Sequence, residues 1–113
     1  MIRDKFKLWV ESNKSDLAYL SISTEYVKHN TPESSVPDPS TGIINESERC
    51  LGQVTVWESA QMEYEVVHIA TEEMLLWRYI EKLPAEPNFD EILAEYFHVL
   101  QTGLKPDAKK SLN

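Results

Sequence analysis

Apolar positions recur at two different spacings along the chain. Ile2, Phe6, Trp9 and Val10 are spaced for one face of a helix, with Arg3, Lys5 and Lys7 on the others, which predicts an amphipathic first helix ending near Asn13. The stretch "LAYLSISTEYV" (17–27) then alternates, Ala18, Leu20 and Ile22 against Tyr19, Ser21 and Ser23, and reads as a first strand. Pro32, Pro37 and Pro39 remove backbone donors from "KHNTPESSVPDPSTG" (28–42), which reads as a loop, either a mobile linker or part of a binding surface.

From Cys50 the period of two becomes clear. Val54, Val56 and Glu58 oppose Gln53, Thr55 and Trp57; "SAQ" (59–61) is a turn; and "MEYEVVHIA" (62–70) sets Met62, Tyr64, Val66 and His68 against Glu63, Glu65, Val67 and Ile69. Segment 71–83 contains good helix formers, with Thr71 a possible cap. Even so, Leu75, Trp77 and Tyr79 alternate with Leu76, Arg78 and Ile80, and a fourth strand completes an antiparallel meander. Asn88 with Glu91 resembles a capping box, Ile92, Leu93, Tyr96, Phe97 and Leu100 form a helical stripe, and Gly103 supplies the stop. The expected architecture is an α+β domain over 1–104: a four-stranded antiparallel sheet with an N-terminal and a C-terminal helix packed on one face, followed by a frayed tail over 105–113.

At 113 residues the chain supports one core. Its net charge of −8 opposes phosphate backbones and anionic membranes, so neither nucleic acid nor membrane is an expected partner, whereas a basic protein is. The single cysteine allows no internal disulfide, no apolar run approaches a membrane span, and the start lacks a signal peptide's apolar centre; the cytoplasm is the expected location.

Sites for chemistry are poorly supported. His29, His68 and His98 fall in a loop, a strand and a helix without ligand spacing, so no metal is expected. Glu46 and Glu48 beside Cys50 oppose thiolate formation, which favours a packed, idle thiol. The glycines form no phosphate loop, and Glu63/Glu65 or Glu72/Glu73 lack a pocket between them for acid–base work. Neither an enzyme nor a cofactor is expected.

Charge is distributed unevenly. Between Arg49 and Arg78 there is no Lys or Arg, while Glu58, Glu63, Glu65, Glu72 and Glu73 all fall inside. If the helices cover Leu20, Val54, Val56, Leu76 and Ile80, the other sheet face presents Tyr19, Thr55, Trp57, Glu63, Glu65, Trp77 and Tyr79. Trp and Tyr are favoured at interface hot spots, and carboxylates among them steer a basic partner. The expected partner-binding residues are Trp57, Glu63, Glu65, Glu72, Glu73, Trp77 and Tyr79. Glu58 stands apart: it follows the core positions Val54 and Val56, so a structural hydrogen bond at the turn is expected of it.

The stretch "GQVTVWESAQMEYEVVHIATEEMLLW", followed by the helix "FDEILAEYFHVL", resembles the TriTu-like immunity proteins of bacterial polymorphic toxin systems over about residues 50–102. The motif is Val56-Trp57-Glu58-Ser59; the family often has Gly next, where this chain has Ala60. The resemblance implies a cytoplasmic antitoxin that binds a cognate toxin domain of the contact-dependent inhibition or Rhs type, as a monomer or weak homodimer. The alternative is a homo-oligomeric structural or adaptor protein whose aromatic sheet face is its own dimer interface.

Overall fold

A computed structural model describes residues 1–106. Helix α1 (Ile2–Tyr19) leads into strands β1 (Ser23–Tyr26), β2 (Ser40–Glu46), β3 (Cys50–Trp57), β4 (Met62–His68) and β5 (Met74–Ile80), followed by the short helix α2 (Phe89–Ile92) and by α3 (Ala94–Thr102). The strands form one antiparallel meander in the order β1-β2-β3-β4-β5. The α+β class and the packing of both helical ends on one face are as expected, but the sheet has five strands. The additional one, β2, begins inside the segment read as a loop, where a 3-10 turn (Glu33–Ser35) also forms.

The first helix is longer than its spacing suggested. Leu17 continues the buried stripe of Phe6 and Val10, so the first strand shrinks to Ser23–Tyr26. The helix closes by a Schellman arrangement, with Ile22 N–H donating to Leu17 C=O at 2.8 Å and Ser21 N–H to Ala18 C=O at 2.9 Å. Ser21 takes the left-handed position (φ 64°) that Gly usually fills. Ile22 is consequently buried, whereas Leu20, expected in the core, is exposed, and Tyr19 belongs to the helix and not to the sheet face.

The core lies between the sheet and α1 and α3. Ile43, Val54, Val56, Met62 and Val66 from the sheet meet Phe6, Val10, Leu93, Tyr96, Val99 and Leu100. Full burial of such aliphatic side chains stabilises the fold by roughly 2 kcal/mol each. Two polar residues, Thr41 and Asn45, also point inward. Asn45 is fully buried, accepts a hydrogen bond from Tyr96 OH at 2.8 Å and donates to Ser23 C=O and Thr24 Oγ1, tying β1 and β2 to α3. Gly52, beside Asn45 in the register, leaves room for that ring: a Cβ there would lie 2.5 Å from the Tyr96 hydroxyl oxygen.

The C-terminal stripe forms two helices meeting at Leu93, not one. Asn88 Oδ1 accepts from Glu91 N–H at 3.2 Å as its spacing predicts, and Gly103 closes α3 in the left-handed conformation (φ 70°). The tail expected over 105–113 lies, from residue 107 on, outside the described residues. No helix among the described residues is long and apolar enough to cross a membrane.

Candidate functional site: an acidic, aromatic sheet face

Because β3, β4 and β5 alternate, one face of the sheet stays uncovered by helices. The register aligns its residues in rows. Thr55, Glu63 and Tyr79 form one row; Ile44, Gln53, Glu65 and Trp77 form the next; Leu51 and Val67 follow, with Met74 paired to Val67. The large apolar residues here are only half covered: Trp77 is 51% exposed, Tyr79 and Met74 46% each, and Leu51 44%. Glu25 and Glu46, on the same face by register, are also exposed. None of these positions is Lys or Arg.

Hydrogen bonds orient the aromatics. Trp77 Nε1 donates to Glu63 Oε2 at 2.8 Å, and the Tyr79 hydroxyl donates to Gln61 Oε1. Those bonds turn both rings along the sheet and keep them in place, which limits the entropy lost when a partner covers them. Glu65 has no hydrogen bond or ion pair from its side chain among the described residues. It borders a shallow hollow of about 160 Å³ lined by Ile44, Leu51, Gly52, Gln53 and Val67. An aliphatic floor with a carboxylate at the rim suits the stem and head of a Lys or Arg side chain.

Four of the seven expected partner-binding residues therefore come together: Glu63, Glu65, Trp77 and Tyr79. Trp57 lies at one end, opposite Ser40 and beyond the last β3–β4 pair. Glu72 and Glu73 lie at the other end, in the β4–β5 turn, where Glu72 is left-handed (φ 61°) and Glu73 binds Lys105 Nζ at 2.7 Å. Val67, read onto the face of Glu63 and Glu65 but not named a partner residue, completes the patch with Ile44, Leu51, Gln61 and Met74, which were not anticipated. Leu51 had a usable signal, since it shares the parity of Gln53, Thr55 and Trp57; Ile44 had none once its strand was read as loop.

The Val56-Trp57-Glu58-Ser59 motif has a different character. Val56 is fully buried. Glu58 Oε1 accepts from Arg3 Nε at 2.7 Å, and the same guanidinium binds Glu33 and donates to Thr41 Oγ1 at 3.4 Å. Ser59 donates twice to Asp38, from its N–H at 3.0 Å and its hydroxyl at 2.7 Å. The motif thus fastens α1 and the 28–39 segment to the β3–β4 turn. The hydrogen bond from Arg3 holds the Glu33 carboxyl below its ordinary range, and the two acidic partners, against partial burial, hold the Arg3 guanidinium above its own.

Cys50 is buried, its Sγ 3.8 Å from the Val99 carbonyl, and burial pushes its thiol up, away from reactivity. Among the described residues no three His, Cys, Asp or Glu side chains are placed to hold a metal ion.

Comparison with curated proteins finds no match. Comparison with family models does: residues 4–99, from α1 almost to the end of α3, match the family described as "Immunity protein TriTu". The match includes the N-terminal helix and β2 as well as the strands that carry the motif, and the chain belongs to the TriTu immunity protein family.

Proposed function

We propose that this immunity protein neutralises a cognate toxin domain by laying its open sheet face on a basic surface of the toxin, acting in the cytoplasm by binding and without catalysis. One observation carries the reading: Glu63 and Glu65 stand opposite half-exposed Tyr79 and Trp77 on a face where no Lys or Arg among the described residues neutralises them. Like charges two residues apart on one strand face destabilise the free protein slightly, and a partner's cations relieve that repulsion on binding. The aromatic rings supply rigid contact area, and the hollow beside Glu65 accepts one basic side chain.

The test pairs the protein with the toxin domain encoded by the adjacent upstream reading frame. Reversing Glu63→Lys and Glu65→Lys together, at two half-buried positions outside the core, lowers stability by no more than about 1 kcal/mol, chiefly through the hydrogen bond that Glu63 accepts from Trp77. It weakens the complex by more than about 100-fold, two charge pairs at ~1.5 kcal/mol each. The association rate of the parent falls as salt rises. Undiminished binding and protection by the double reversal would place the contact elsewhere. A stable dimer that buries Trp77 in light-scattering and fluorescence measurements would make the face a self-interface instead.

A further inference from the structure

Among the described residues the open face ends at a backbone edge that no other segment pairs, and hydrogen-bond parity shows whose edge it is. Trp57 N–H donates to Gln61 C=O at 2.9 Å, which makes that pair a bonded one. Bonded and non-bonded pairs alternate from there, so Thr55/Glu63 and Gln53/Glu65 exchange hydrogen bonds, and Glu63 and Glu65 turn their backbone groups toward β3. Their opposite neighbours, Tyr79 and Trp77, are then at non-bonded positions and direct N–H and C=O away from the sheet. One contact shows this independently: Arg78 Nη1 donates to the Trp77 C=O at 3.0 Å.

The two residues that offer aromatic anchors on the face therefore also offer the unpaired backbone groups at its rim. The two sheet edges differ in kind. β1 has four residues and lies against α1, whereas β5 has seven, about 24 Å of strand, with neither Pro nor Lys along it. Among the described residues its protection is Arg78, which caps a single carbonyl while paired with Glu95 at 3.1 Å.

Building on the reading above, we propose that the toxin contributes an extended, basic segment that adds to the sheet as a sixth strand along β5. Such a segment pairs with the backbone of Trp77 and Tyr79 and directs alternate side chains over the open face. An added strand lies two strand spacings from β4, roughly 10 Å, so a Lys or Arg on it crosses the Trp77 or Tyr79 ring to reach Glu63 or Glu65. A second copy of this chain fits poorly. Pairing β5 with β5 would bring two uncompensated acidic faces side by side in a protein of net charge −8.

Amide hydrogen exchange by NMR, on the free protein and on its complex with the toxin domain encoded by the adjacent upstream reading frame, tests the proposal. The expected result is fast exchange at Trp77 and Tyr79 in the free protein, slowed at least 100-fold in the complex. The Arg78 amide, already bonded to β4, changes far less. Replacing the Tyr79 amide by an ester, which keeps the phenol and deletes the donor, weakens the complex at least tenfold. If both amides exchange freely in a complex that the double reversal of Glu63 and Glu65 still abolishes, strand addition is wrong and recognition by the face stands. If neither changes binding, both fail. Protection of the same two amides without toxin, rising with protein concentration, would assign the edge to self-pairing and also overturn the proposal.

Discussion

The two faces of this sheet come from the same strands, one residue apart, and they resolve polarity in opposite ways. On the covered face the polar groups are partnered: Asn45 binds Tyr96, Ser23 and Thr24, and Thr41 receives a bond from Arg3. On the open face the Trp77 and Tyr79 donors are partnered, through Glu63 and Gln61, but among the described residues no Lys or Arg pairs with Glu63 or Glu65. The difference follows from solvent. A buried polar atom without a partner costs about 1–3 kcal/mol, whereas an exposed carboxylate keeps its water until a partner takes over. Charge left uncompensated is therefore tolerated only on the open side.

This contrast predicts large effects on the covered face. Gly52→Ala places a methyl 2.5 Å from the Tyr96 hydroxyl oxygen and below 3 Å from two of its ring carbons, so the ring must move and its bond to Asn45 breaks. Chemical denaturation should show a loss of roughly 3 kcal/mol, overpacking plus a stranded buried amide. Adding Tyr96→Phe restores only part, because the ring carbons remain close. A Gly52→Ala protein as stable as the parent would show that α3 can slide over the sheet, and the covered face would no longer be the rigid one.

A smaller loss is expected at the motif. Glu58→Gln keeps an acceptor for Arg3 Nε but removes its charge, at about 1 kcal/mol; Arg3→Met also releases Glu33 and Thr41 and costs about 2 kcal/mol. Affinity for the toxin should change less than twofold in Glu58→Gln. A normal melting point with lost binding would move Glu58 from scaffold to interface.

Smaller again is the response to pH. Glu33, Glu11 and Glu86 are held below their ordinary value of 4.5, the first by Arg3, the second by the Tyr26 hydroxyl and then Lys14, the third by Lys5. The unfolded chain takes up these protons first, so the stability they lend is present above the ordinary carboxylate range and is lost as pH falls through it. The pairs are exposed, which keeps the acid limb shallow. Tyr26 has the opposite sign. Burial, then Glu11, raises its phenol to about 12, so its contribution is intact below pH 10 and is lost as pH rises toward 12; Tyr64 and Tyr96, raised by burial, add to that limb. In melting temperatures across pH, Tyr26→Phe should flatten the alkaline limb and, by removing Glu11's main partner, part of the acid one.

Much of this was legible in the sequence where one face is apolar and the other polar. β3 and β4 declare themselves through Val54, Val56, Met62, Tyr64 and Val66 against Gln53, Thr55, Glu63 and Glu65, and from them comes the face that unites Glu63, Glu65, Trp77 and Tyr79. β2 was hidden because its inward residues are Thr41, Ile43 and Asn45, two of them polar. Their burial depends on Arg3 and Tyr96, respectively 38 and 51 residues away, which no local pattern reports. The end of α1 was hidden because Ser21, not Gly, occupies its left-handed position. Glu72 and Glu73 counted toward the charge but fall in a turn, since the register shift between Val66 and Val67 brings β5 in only at Met74.

The last and smallest contrast sets against each other the two turns that bound the open face. Ala60 (φ 73°) and Glu72 (φ 61°) both occupy the left-handed region, where a side chain costs roughly 1 kcal/mol relative to Gly. Replacement by Gly relieves that strain but gives the unfolded chain more freedom, an opposing ~0.4–1 kcal/mol. What remains is the side chain itself. The Ala60 methyl packs on the core, its N–H donates to Trp57 C=O at 2.9 Å, and its carbonyl accepts from Leu83 at 2.7 Å, so the backbone is held whatever the residue. Losing a half-buried methyl removes about 0.4 kcal/mol. Ala60→Gly should therefore be neutral to slightly destabilising. Glu72 is exposed and has no methyl packed on the core to lose, so Glu72→Gly should be neutral to slightly stabilising, and it removes one negative charge beside Glu73. Melting temperatures of the two variants, measured side by side, should rank Glu72→Gly above Ala60→Gly by one or two degrees. The reverse order would mean that strain at Ala60 outweighs its packing, and that the turn beside Trp57 is the one held under tension.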